Sequence, residues 1–146
     1  MAHLESREGR ILAVDFGDTR TGLAVSDELR FLASGIGYIS PGGIEKTAAA
    51  VAAEAQDRGV SAVVVGHPLN MNGTAGPRAE RAEEFAAMLR DKLDGVEVVL
   101  FDERMTTMAA ARYLNETNVR GKKRKGVIDT LSAQIILQNA LDRLKN

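Results

Sequence analysis

The sequence predicts an α/β fold in which a mixed five-stranded sheet is flanked by helices, and three observations carry that prediction. Two apolar runs, Ile11 to Val14 and Leu23 to Val25, flank a short polar segment bearing glycine, as expected of antiparallel neighbours joined by a tight turn. Two later runs, "SAVVVGHP" and "VEVVLFDE", are continuously apolar and rich in β-branched residues, the pattern of strands buried on both faces. Segments of helical composition separate these runs. A hairpin start followed by such alternation gives a sheet that is antiparallel at one edge and parallel in its middle.

Taken in order, residues 11–17 and 20–26 are the first two strands, and "RFLASGIGYIS" holds a third. "PGG" at 41–43 breaks the chain, after which the alanine-rich "IEKTAAAVAAEAQDRG" predicts a helix that stops at Gly59. The fourth strand follows. Pro77 then suits a first helical position, and Ala82, Phe85, Ala86, Leu89 and Leu93 recur at helical spacing. After the fifth strand come a helix over "TTMAAARYLNET", a basic loop "NVRGKKRKG", and a last helix over "VIDTLSAQIILQNALDRL". Residues 1–10 read as a flexible leading segment and 11–146 as a single domain.

Hydrophobic residues make up 45% of the 146 and charged residues 27%, an ordinary globular balance. No cysteine is present, which excludes disulfides, thiolate metal sites and thiol nucleophiles. The leading residues lack the apolar core of a signal peptide, and no apolar run is long enough to span a bilayer. The expectation is a soluble cytoplasmic protein without a membrane partner. With a net charge of -1, affinity for nucleic acid would have to come from a local patch.

Four carboxylates sit where elements end: Asp15 after the first strand, Asp102 and Glu103 after the last, and Asp129 in the first turn of the final helix. Each has a structural explanation by itself. An aspartate closes turns, favours helix N-termini, or pairs with a neighbouring arginine. Ligands nevertheless collect at the carboxyl ends of parallel strands. If the first and last strands are parallel neighbours, Asp15 and Glu103 meet there. Carboxylates converging without histidine or cysteine make a hard oxygen site suited to Mg²⁺ or Mn²⁺, and such ions support phosphodiester hydrolysis. His67, beside Pro68 at a strand end, reads as a local structural residue.

The segment "RGKKRKG" brings Arg120, Lys122, Lys123, Arg124 and Lys125 just before the helix that carries Asp129. A solvated charged loop is the plain reading. Its position would also draw a phosphate backbone across the carboxylates, and Arg78 and Arg81 could extend that surface. Aromatic residues are 4% of the chain and tryptophan is absent, so recognition of backbone and shape is expected rather than base stacking.

Four ordered stretches, "DFGDTRTGLAVSD", "VVVGHPLNMNGTAGPRAERAEEFAAML", "FDERMTTMAAARYL" and "KKRKGVIDTLSAQIILQNALD", resemble the YqgF family. These are Holliday-junction-resolvase-like proteins, also described as nucleases of precursor 16S ribosomal RNA, with an RNase H-like fold. The resemblance runs from about Ile11 to Leu144. It implies Asp15, Glu103 and Asp129 as catalytic and metal-holding acids. It further implies that Gly17, Arg20 and Gly22 shape the first turn, and that Asn70, Asn72, Gly73, Arg78 and Arg104 line the site. Arg20, Asn72, Arg78 and Arg104, with Lys122, Lys123, Arg124 and Lys125, are the residues expected on nucleic acid. Asp18 and Thr19 depart from the family pattern, and "VVVGHP" lacks the acid that many RNase H-like nucleases carry at the fourth strand.

The implied activity is metal-dependent endonucleolytic cleavage, with the 5′ end of precursor 16S rRNA as substrate and ribosomal particles as possible partners. Resolution of branched DNA, or RNA binding without turnover in ribosome assembly, are the alternatives. The protein would act as a monomer or a homodimer. A hairpin with aspartate, glycine and hydroxyl residues also occurs in two-domain sugar-kinase-like ATPases, but this chain has room for one domain.

Overall fold

The computed structural model describes residues 8–105 and 124–145, and describes side chains for 8–105 and 130–144. The segment predicted as a helix over 106–117, the leading residues 1–7, and Arg120, Lys122 and Lys123 lie outside the described residues. Five strands are present: β1 (Ile11–Asp15), β2 (Thr21–Ser26), β3 (Ala33–Ile39), β4 (Ala62–His67) and β5 (Glu97–Asp102). Three helices, α1 (Ile44–Asp57), α2 (Pro77–Lys92) and α3 (Arg124–Lys145), and a short 3₁₀ turn (Glu103–Met105) complete the described elements.

The sheet runs β3-β2-β1-β4-β5. β1 pairs antiparallel with β2, and β2 with β3, whereas β1–β4 and β4–β5 are parallel. The mixed sheet is as the sequence predicts, with one correction. β1 and β5 are not neighbours, because β4 lies between them. β4 is buried along nearly its whole length, as its apolar run requires, but β5 is only half-buried. It reads like a central strand in sequence, yet as an edge strand it buries only Val98 and Phe101.

Alternation along the strands divides the core between two faces. Leu12, Val14, Val63 and Val65 face α1 and α2, where Phe85 is fully buried. Ile11, Ala13, Ala62, Val64 and Phe101 face α3 through Ala133, Ile136, Leu137, Ala140 and Leu141. Truncating Phe85 to alanine would cost about 3–5 kcal/mol. α1 stops where expected: Gly59 adopts φ +62°, and the Val60 amide donates back to the Ala55 carbonyl at 3.2 Å.

α3 covers β3 as well, through a polar stripe at four-residue spacing. The Gly37 amide donates to Thr130 Oγ1 (2.8 Å), Gln134 Nε2 donates to the Ala33 carbonyl (3.1 Å), and the Ala33 amide donates to Gln138 Oε1 (3.1 Å). Gly35 makes this approach possible, since a Cβ there would lie 2.5 Å from Thr130 Cγ2. These bonds satisfy backbone groups of β3, an edge strand of the sheet. α3 begins at Arg124, three residues before the start the sequence suggests. Asp129 therefore lies in the second turn of the helix, not the first, and Arg124 and Lys125 belong to the helix rather than to a loop.

Candidate active site

The carboxyl ends of β1, β4 and β5 share one edge of the sheet. Asp15 closes β1, and the next residue, Phe16, points to the opposite face and stacks on Phe85 with ring centroids 4.7 Å apart. That stack fixes the strand end so that Asp15 shares the α3 face with Ile11 and Ala13. Beyond it the chain turns tightly. A Cβ on Gly17 would meet the Arg20 carbonyl oxygen at 2.3 Å, and the Gly17 amide donates to Thr21 Oγ1 at 3.4 Å.

Continuing the Val14–Val65 register by one residue sets Asp15 beside Gly66 of β4. Gly66 pairs in turn with Phe101 of β5, and Glu103 follows two residues later on the same face. The interposed strand thus presents no side chain at this level. Glu103 uses the space. Its Oε2 lies 2.9 Å from where a Gly66 Cβ would stand, and Ile136 Cδ1 lies 2.7 Å from the same point. A glycine therefore lets acids from two non-adjacent strands approach across a third.

Glu103 Oε2 is buried and accepts no hydrogen bond among the described residues. Burial first, then the Asp15 carboxylate, pushes the Glu103 carboxyl from an ordinary 4.5 up to about 7; Arg78 and His67 oppose the shift and Asp102 adds to it. Arg78, near the start of α2, is exposed and makes no ion pair or hydrogen bond among the described residues, yet its charge acts on Glu103. No group of three or more histidines, aspartates or glutamates that could hold a metal ion occurs among the described residues. Asp129 stands outside that statement, since only its backbone is described. Its backbone lies about two turns before Ile136 in α3.

Asp102 and Arg104, on either side of Glu103, bond to each other. Arg104 Nη2 donates to Asp102 Oδ2 at 2.7 Å, its Nε donates to the same carboxylate at 3.1 Å, and its amide donates to Asp102 Oδ1 at 2.9 Å. The guanidinium holds the Asp102 carboxyl below the usual carboxylate range. Arg104 Nη1 also donates to the Met71 carbonyl at 3.2 Å. The arginine thus clamps the β4–α2 loop onto the end of β5. Asn72 serves that loop too, accepting from the Thr74 amide (3.1 Å) and hydroxyl (2.6 Å) through Oδ1. His67 binds Glu83 of α2 through Nε2 at 2.7 Å, the local structural role expected of it.

A solvent-open cleft of about 100 Å³ is lined by Phe16, Gly17, Asp18, Pro77, Arg78 and Arg81. Arg81 pairs there with Asp18 at 3.4 Å and with Glu84 at 3.0 Å. Arg20 sits on the other side of Asp15, its guanidinium carbon 5.1 Å from the Tyr38 ring centroid. The geometry brings together Asp15, Glu103 and Arg78. Sequence reasoning missed Gly66 as the space that unites the acids, although a glycine inside an otherwise β-branched run was a signal of close approach.

Residues 9–143 match the family model described as "RuvX: Holliday junction resolvase". A "Putative pre-16S rRNA nuclease" of Ruminiclostridium cellulolyticum is 42% identical over 136 residues, covering 92% of this chain and 95% of that one. A protein of the same name from Geobacillus kaustophilus is 45% identical over 139 residues, covering 91% and 97%. Among solved structures, T. thermophilus RuvC in complex with a Holliday junction substrate aligns with a TM-score of 0.64 at 14% identity, over 94% of this chain and 96% of that one. That likeness concerns the fold, which is of the RuvC and RNase H kind. With the family motifs spread over nearly its whole length, the chain belongs to the RuvX family of Holliday-junction-resolvase-like nucleases.

Proposed function

We propose that this protein is a divalent-cation-dependent endonuclease that hydrolyses phosphodiester bonds of precursor 16S rRNA at its 5′ end, in the cytoplasm. One observation carries the chemical part: a buried Glu103 oxygen with no hydrogen-bond partner among the described residues, beside a second carboxylate at the sheet's carboxyl edge. A buried carboxylate is costly unless something positive balances it. The donors are oxygens only, so Mg²⁺ or Mn²⁺ suits them. Asp15 and Glu103, with Asp129 from α3, would hold the ion. Once bound, it would supply an activated water and stabilisation of the leaving oxygen.

The chain's own residues do the rest. Arg78 offers an exposed cation toward a backbone phosphate next to the acids. Arg20, with Lys122, Lys123, Arg124 and Lys125, would hold the flanking strand. The choice of RNA rests on the names of the relatives, and association with ribosomal particles would follow from it. Branched DNA is a second reading, favoured by the family description. Purified protein with Mg²⁺ or Mn²⁺, offered precursor 16S rRNA and a four-way DNA junction side by side, tests both. Metal-dependent shortening of the RNA, lost in Asp15→Asn and Asp129→Asn, is expected. RNA binding without cleavage by the wild type would instead identify a non-catalytic assembly factor.

A further inference from the structure

The strand register carries a second feature across the same edge. Asp15 pairs with Gly22 of β2, and Gly22 pairs with Tyr38 of β3. Directly paired residues project from the same face. Gly22 shares its face with Ala24, which packs toward α3, so the Asp15–Gly22–Tyr38 row lies on the face that carries the acids. Tyr38 stands two strands from Asp15, about 10 Å at ordinary cross-strand spacing. Gly22 between them carries no side chain.

Tyr38 is unusual for a residue on a helix-covered face. The residue is 44% exposed, and the Arg20 guanidinium lies over its ring at 5.1 Å. Ring and guanidinium form a flat, cationic platform in the same cross-strand row as Asp15. Flat aromatic and guanidinium surfaces stack on any nucleobase, whereas a duplex buries the faces that such a platform would contact.

We infer that Tyr38 and Arg20 form a stacking site for an unpaired nucleobase of the nucleotide flanking the scissile phosphate, so that the enzyme selects single-stranded or locally opened substrate. The inference rests on the nuclease reading of the carboxylate edge. It gives the 4% of aromatic residues a use that composition alone argues against. Sequence tolerance follows, because every base has a face to stack.

The test measures binding of a short single-stranded RNA with 2-aminopurine at successive positions, using Asp15→Asn protein so that the strand stays intact. One labelled position should be quenched on binding. Tyr38→Ala in that background should abolish the quench and weaken binding between about 5- and 150-fold. Its salt dependence should be unchanged, since no phosphate contact is removed. Tyr38→Phe should keep both quench and affinity. In the otherwise wild-type enzyme, Tyr38→Ala should lower cleavage of single strands, and Tyr38→Phe should cleave them at the wild-type rate. Unchanged affinity in Tyr38→Ala, or equal loss in Tyr38→Phe, overturns the stacking site. An absence of cleavage by wild-type protein would instead count against the nuclease reading.

Discussion

Replacing Glu103 with glutamine removes an ionisable group burdened by burial and by Asp15, and its consequence can be worked from the site. In the folded protein this carboxyl titrates at about 7 rather than at 4.5, because it is buried and faces Asp15. A folded value above the unfolded one means that protonation favours the fold. The associated stability is fully present below pH 4.5, falls as pH rises toward 7, and is gone above it. Each pH unit of displacement is worth about 1.4 kcal/mol, which sets a ceiling of about 3 kcal/mol. The side chain is partly open to solvent, and screening reduces this to ~2 kcal/mol. Glutamine stays neutral throughout. In chelator, Glu103→Gln and wild type should melt together near pH 4.5 and diverge toward pH 8, with the variant higher by about 4–8 °C. The difference between the two cancels every other titration. Excess Mg²⁺ or Mn²⁺ at pH 8 should raise the wild-type melting temperature and leave that of the variant in place. A difference that stays flat from pH 5 to pH 8 would refute the burdened carboxylate.

Gly66→Ala places a methyl group against Glu103 Oε2 and Ile136 Cδ1; both are flexible ends, so melting should report only about 1–3 kcal/mol of destabilisation while cleavage assays show a disproportionate loss. Thr130→Val leaves the Gly37 amide without its acceptor at a cost of about 1–3 kcal/mol by urea denaturation, whereas Thr130→Ser retains the bond and the stability. Asp18→Asn removes the carboxylate that engages Arg81; filter binding should show single-stranded RNA held about 2- to 5-fold tighter, and the salt slope should steepen by about 0.7 as one more phosphate contact forms. Arg81→Gln should reverse both effects.

The pattern of strands and helices was legible because burial writes itself into periodicity. A strand with one face in water alternates apolar and polar residues, and β4, with Val63, Val64 and Val65 in succession, was recognisable as central because it does not. β5 carries a similar run, but apolar content cannot distinguish a central strand from an edge strand whose outer neighbour is missing. Strand order was hidden for the same reason, so the meeting of Asp15 and Glu103 was anticipated while its means was not. It depends on Gly66, whose importance lies in a side chain it lacks. Arg104 was expected at the site from the family resemblance, and its bonds to Asp102 and to the Met71 carbonyl, which crosses from a distant loop, leave no periodic signature in the sequence. Tyr38 carried no sequence signal, because the register that aligns it with Asp15 passes through a bulged strand pair.

If Asp15 and Glu103 form the core of a cation site, a calorimetric titration of Mn²⁺ into chelator-free protein should report it. Run at pH 6 in two buffers of different ionisation enthalpy, wild-type protein should bind Mn²⁺ with release of about one proton, contributed by Glu103, and release should vanish by about pH 8.5. Asp15→Asn and Glu103→Gln should each lose most of the affinity. Equal Mn²⁺ binding by wild type and both variants would remove Asp15 and Glu103 from any cation site.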